Sequence, residues 1–155
     1  MAVDIVKNIF VLLLPFIVYS TSYLVPSLYD IESEEYKNMN HSKLTLPPWI
    51  LFTMWCIIYI VMGASMVKVI QKKKFVILYL YIVQILFNYG RSISLYKFHS
   101  ETTSLILSSL FLISVVSLNY IFYKRNTTSG NIYLIYTIWT LYIFYLSLNL
   151  KIKIF

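Results

Sequence analysis

Charged positions divide the chain into long apolar windows. Residues 8–29, 44–67, 102–123 and 126–150 contain no Asp, Glu, Lys or Arg. A further window covers 75–90, is interrupted by Arg91, and resumes to Tyr96. A membrane-crossing helix needs about 20 apolar residues at a rise of 1.5 Å each. Four windows satisfy this directly. The 75–96 window satisfies it if Arg91 lies near a membrane face or points into the bundle. Closed β-barrels are the other spanning architecture, but their strands alternate over about ten residues. Runs such as Ile9–Leu14 and Ile57–Met62 are continuous, which favours helices. The pattern predicts an all-α membrane protein: a single domain over 1–155, built as a five-transmembrane-helix bundle. The expected spans are 6–28, 47–70, 75–96, 102–123 and 131–151, with a first loop over 29–46.

The polar gaps differ in character. The first loop is the longest and carries Asp30, Glu32, Glu34, Glu35, Lys37, His41 and Lys43. The others are Gln71-Lys72-Lys73-Lys74, Lys97-Phe98-His99-Ser100-Glu101, and the stretch from Lys124 to Gly130. With five spans, Lys7, Lys68, Lys72, Lys73, Lys74, Lys124 and Arg125 share one side. Lys37, Lys43, Lys97, Lys151 and Lys153 share the other. This slight excess places the N-terminus in the cytoplasm for a plasma-membrane protein. The first window is expected to be a retained helix, because Tyr23-Leu24-Val25-Pro26 makes a poor signal-cleavage site.

Composition agrees. Hydrophobic residues make up 59% of the 155 and charged residues 12%, with mean hydropathy +0.73. Soluble domains run about 45–50% apolar and 25% charged. The net charge of +7 sits mostly in the short gaps. It points to lipid headgroups rather than nucleic acid. The single cysteine, Cys56, lies within an apolar run and can form no intramolecular disulfide.

The third span holds the least expected residues. Gln84, Asn88, Arg91 and Ser92 fall on one helix face. Polar groups face hydrocarbon at a cost, so this stripe should point into the bundle or a wet cavity. The spacing leaves interhelical glue and ligand pocket equally open. Aromatic stripes appear on the second span, at Trp55, Tyr59 and Met62, and on the fifth, at Tyr136, Trp139 and Ile143 with Tyr142 alongside. Packing explains such stripes most simply. Still, a mid-membrane indole needs an acceptor for its N–H or a flat ligand to stack on. No carboxylate lies within a span, so paired-carboxylate acid–base catalysis is not expected. His41 and His99 lie in connections without a second ligand at helical spacing, and no metal site is expected.

Together these positions resemble the translocator protein family, also called the peripheral benzodiazepine receptor or tryptophan-rich sensory protein family. Its loop segment KPxWxPPxW is echoed by Pro47-Pro48-Trp49, preceded by Tyr36 and Met39. WxxxYxxMG matches Trp55, Tyr59, Met62 and Gly63. QxxxNxxWS matches Gln84, Asn88 and Ser92, and PYxxWxxFATxLN matches Tyr136, Trp139, Tyr145 and Leu146. The match runs in order from Tyr36 to the end of the chain. There are departures. Leu44 and Leu46 replace a Trp and a Pro, Arg91 replaces the third-span Trp, Ile135 replaces a Pro, and Ser147 replaces an Asn.

The resemblance implies a five-helix bundle in the lipid bilayer, often a homodimer, with an apolar pocket closed by the first loop. The implied ligands are porphyrins such as protoporphyrin IX or haem, or a sterol-like small molecule, with no cofactor required. By motif the pocket takes Tyr36, Leu51, Trp55, Tyr59, Gln84, Asn88, Arg91, Ser92, Trp139 and Ile143. A role as sensor, regulator or carrier follows. Some members are implicated in light- and oxygen-dependent degradation of protoporphyrin, and Trp55 and Trp139 would then be the catalytic residues. A structural or regulatory protein with a vestigial pocket is a third reading. The membrane would be the cell membrane in a bacterium and the mitochondrial outer membrane in a eukaryote. Arg91 departs from the family pattern and could pair with a ligand carboxylate.

Overall fold

The computed structural model describes residues 9, 13, 17, 46–70 and 75–152, and these are helical apart from short connections. Four helices are described: α1 (Pro48–Ile70), α2 (Phe75–Tyr96), α3 (Glu101–Arg125) and α4 (Thr127–Ile152). They correspond to the second to fifth expected spans. Of the first span, Ile9, Leu13 and Ile17 are described; each is helical and exposed. The rest of that span, the loop up to residue 45 and the lysine-rich connection 71–74 lie outside the described residues.

Several of the helix ends have a local cause. Pro48 opens α1, where a missing N–H costs nothing, and the Pro47 carbonyl accepts from the N–H groups of Ile50 and Leu51. Ser100 caps α3, its hydroxyl accepting from the Thr103 N–H at 3.4 Å. Glu101 in the first turn of α3 and Lys124 and Arg125 in its last complement the helix dipole. Between α2 and α3, His99 adopts a left-handed conformation with φ 49°, letting the Ser100 N–H reach the Ser94 carbonyl.

The connection between α3 and α4 is shorter than expected. The polar run 124–130 reads as a loop, yet only Asn126 leaves the helical path. Its backbone N–H closes α3 on the Phe122 carbonyl at 2.8 Å. Its side-chain Oδ1 accepts from the Ser129 N–H at 3.0 Å and caps α4. One residue thus ends one helix and starts the next. Gly130 makes the tight hairpin sterically possible, because a Cβ there would meet Tyr123 Cα at 2.6 Å.

The helices run about 33–39 Å at 1.5 Å per residue, enough for a hydrocarbon core of about 30 Å. Among the described residues, Val76–Tyr96 of α2 and the whole of α3 and α4 are long and apolar enough to cross a membrane. The described apolar part of α1 is the shorter Thr53–Val67. The outside of the helices is apolar, while small polar side chains share the inside with the apolar core. On α3, Ile106, Leu110, Ile113 and Val116 are exposed while Ser104, Ser108 and Ser114 are buried. A soluble helix does the reverse. Helices in lipid gain nothing from hiding apolar faces, and pack through small and polar residues instead. The Ser108 and Ser147 hydroxyls accordingly meet at 2.8 Å between α3 and α4.

The α3 helix packs closely on both α2 and α4, and α4 packs on α1. The backbones of α1 and α2 stay farther apart. Long side chains span the distance between them, and this is where the polar stripe of α2 projects.

Candidate functional site

Two chains of contacts start from the polar face of α2. The deeper one centres on Gln84, which is fully buried. Its amide nitrogen donates to Met62 Sδ at 3.2 Å, reaching α1. Its carbonyl oxygen accepts from the Tyr133 hydroxyl at 2.6 Å, reaching α4. Tyr133 in turn packs edge-on against Phe122 and Tyr136. Gln84 thus ties α2 to both α1 and α4.

The second chain lies about one helical turn nearer the end of α2 that leads to the 97–100 connection. Asn88 Nδ2 donates to the Tyr59 hydroxyl at 2.8 Å. Tyr59 stacks on Trp55 with ring centroids 5.3 Å apart. Trp55 meets Trp139 edge-to-face at 6.0 Å, and Trp139 leans on Tyr142 at 5.2 Å. The Tyr142 hydroxyl in turn contacts the Leu46 backbone, where the first loop enters α1. The helical repeat explains the arrangement. Trp55 and Tyr59 are one turn apart on α1, and Trp139 and Tyr142 nearly so on α4.

Arg91 extends this chain on α2. It is only 6% exposed. Its Nε and Nη2 each donate to Asn88 Oδ1 at 3.4 Å, and Nη2 donates to Ser92 Oγ at 3.2 Å. The Ser92 hydroxyl is itself turned back to the Asn88 carbonyl at 3.1 Å. Every acceptor of Arg91 among the described residues thus belongs to its own helix. Among the described residues it has no ion-pair partner and Nη1 has no acceptor. Trp139 presents a related feature. The residue is 7% exposed, and its indole N–H finds no acceptor among the described residues.

The structure therefore joins Trp55, Tyr59, Asn88, Arg91, Ser92 and Trp139 in one run of contacts. Ile143 belongs to the buried apolar cluster, and Leu51 is half-buried and packs against it. Gln84 is set apart in the deeper network. Tyr36 and His41, with the expected lid, lie outside the described residues. Two participants escaped the sequence reading. Tyr133 was not singled out, although it lies one turn before Tyr136 on the same face. Tyr142 was noted only as a neighbour of Trp139. No group of three or more His, Cys, Asp or Glu side chains that could hold a metal occurs among the described residues.

Residues 8–153 match the model of the TspO/MBR family, which is nearly the whole chain. The chain belongs to the TspO/MBR family. No curated protein matches it. Membership and the three long apolar helices together make it an integral membrane protein. As a TspO/MBR protein it keeps the tryptophans of the second- and fifth-span patterns, Trp55 and Trp139. It departs most plainly at Arg91, where a buried cation stands in the third-span position that the family pattern gives to tryptophan.

Proposed function

We propose that this TspO/MBR protein is a membrane-embedded binder of porphyrins or similar flat aromatic or lipidic ligands, acting as a sensor, regulator or carrier. The observation that carries the reading is the buried Trp55–Trp139 pair, edge-to-face at 6.0 Å, with an indole N–H that has no acceptor among the described residues. A buried donor without a partner costs about 1–3 kcal/mol. An interior indole that only packed would not need to bear that cost. A ligand acceptor removes it, and indole faces supply stacking area for a macrocycle.

The proposal includes a fifth helix over 6–28 and a lid over 29–46. The helical, outward-facing Ile9, Leu13 and Ile17, spaced four apart, support that helix. Pairing of two copies into a homodimer, as the family resemblance implies, is part of the same proposal.

The closeness of the two tryptophans also favours a second reading, light- and oxygen-dependent porphyrin degradation with Trp55 and Trp139 at the reacting ring. One experiment addresses both. Purified protein is titrated with protoporphyrin IX in the dark and then illuminated in air, following tryptophan fluorescence and porphyrin absorbance. Saturable quenching without bleaching is expected. Protein-dependent bleaching that disappears in Trp55→Phe or Trp139→Phe would move the assignment to the enzyme. Absence of saturable quenching sinks the binding proposal.

A further inference from the structure

We infer that this site selects ligands carrying a carboxylate, and that Arg91 is the residue that makes the selection. The inference rests on the ligand-binding reading above and adds a substrate class to it.

An arginine side chain is effectively always charged, and a charge within a membrane bundle is retained only with compensation. Among the described residues the compensation around Arg91 is poor. Strong charge-assisted hydrogen bonds are about 2.7–2.9 Å long, whereas those of Arg91 are 3.2–3.4 Å. Two of the three fall on one oxygen, Asn88 Oδ1. All come from neutral groups within one turn of the same helix. No carboxylate of the described residues pairs with it. Snorkelling would relieve the charge by carrying the guanidinium out to the interface. At 6% exposure it has not done so.

The hydrogen-bonding balance of the site has one sign. Arg91 offers donors in excess, and the Trp139 N–H is a further donor without an acceptor among the described residues. Three nearby acceptors are already engaged. Asn88 Oδ1 takes two bonds from Arg91, Ser92 Oγ takes one, and the Tyr59 oxygen takes one from Asn88. A site rich in donors and poor in acceptors suits an anion that only accepts. It suits a neutral hydroxyl, which must also donate, much less. A carboxylate offers two oxygens to the guanidinium fork. The Tyr59, Trp55 and Trp139 rings that continue the chain of contacts can take the flat apolar body to which that carboxylate is attached.

The test compares protoporphyrin IX with its dimethyl ester, which keeps the macrocycle and removes both carboxylates. Affinities are read by tryptophan quenching in a nonionic detergent, so that no lipid phosphate competes. Wild-type protein should bind the diacid roughly tenfold to a hundredfold more tightly than the diester. In Arg91→Gln the two affinities should converge, and Arg91→Lys should keep part of the preference. Equal binding of diacid and diester by wild type overturns the carboxylate inference while leaving the porphyrin reading intact. Failure of both ligands to bind overturns both. The wild-type comparison decides the matter even if Arg91→Gln does not fold.

Discussion

Gln84 sits where three helices meet, and both ends of its amide are engaged: Nε2 with Met62 on α1 and Oε1 with Tyr133 on α4. Replacing Gln84 with Leu would leave the buried Tyr133 hydroxyl without its acceptor, and Tyr133→Phe would leave Oε1 without its donor. Each is expected to cost about 1–2 kcal/mol. The double variant should cost clearly less than the sum, because removing both partners strands neither. Thermal unfolding in detergent measures the cycle; simple additivity would mean the two groups do not act as a pair. Ligand affinity should change little, in contrast to substitutions at Arg91. Spacing alone could not separate these neighbours on one helix. It placed Gln84, Asn88, Arg91 and Ser92 on a common face. Their roles diverge because the partners that assign them, Met62 and Tyr133 against Tyr59, come from other helices.

At the scale of elements, the boundaries were legible where charge brackets an apolar run. The helix α2 covers the expected 75–96, fenced by Lys72–Lys74 and Lys97. The start of α4 was not legible, because Thr127, Thr128, Ser129 and Gly130 have the composition of a loop. Their helical state depends on Asn126 serving both helices and on Gly130 allowing α4 to touch Tyr123. This gives a contrasting pair of variants. Gly130→Ala forces a Cβ to within 2.6 Å of Tyr123 Cα and 2.8 Å of its Cβ, backbone and near-backbone atoms that cannot swing aside. A loss of about 1–3 kcal/mol is expected, as for other overpacked sites. Gly90→Ala meets Leu107 Cδ1 at an ordinary 3.5 Å, and alanine gains up to about 1 kcal/mol over glycine within a helix. It should be neutral or stabilising. Melting temperatures that fall equally in both variants would show that the hairpin contact is not what Gly130 serves.

For the whole molecule, the apolar exterior is the organising fact, and it was legible only in part. Hydropathy revealed that the helices are apolar but not which face is turned outward, because serine-lined and isoleucine-lined faces alternate within the same window. The α3 helix shows this most clearly. It runs from Glu101 to Arg125, and Ile113 lies at its midpoint with 62% of its surface exposed. Near its end Tyr123 is also exposed, and the Lys124 ammonium lies 5.6 Å from the Tyr120 ring, an aromatic and basic grouping suited to the headgroup level. If the exposed belt meets lipid, a lysine at Ile113 places a charge at mid-membrane, which disfavours insertion by about 2.5–3.5 kcal/mol. The same lysine at Tyr123 can snorkel to the headgroups and should be nearly free. Membrane integration of the two variants, scored by glycosylation tags flanking α3, should drop sharply for Ile113→Lys and stay near wild type for Tyr123→Lys. Equal integration would mean that this face of α3 is not turned to hydrocarbon. The polar face of α2 would then lose its standing as the interior of the bundle, and with it the physical basis for reading Arg91 as a ligand contact.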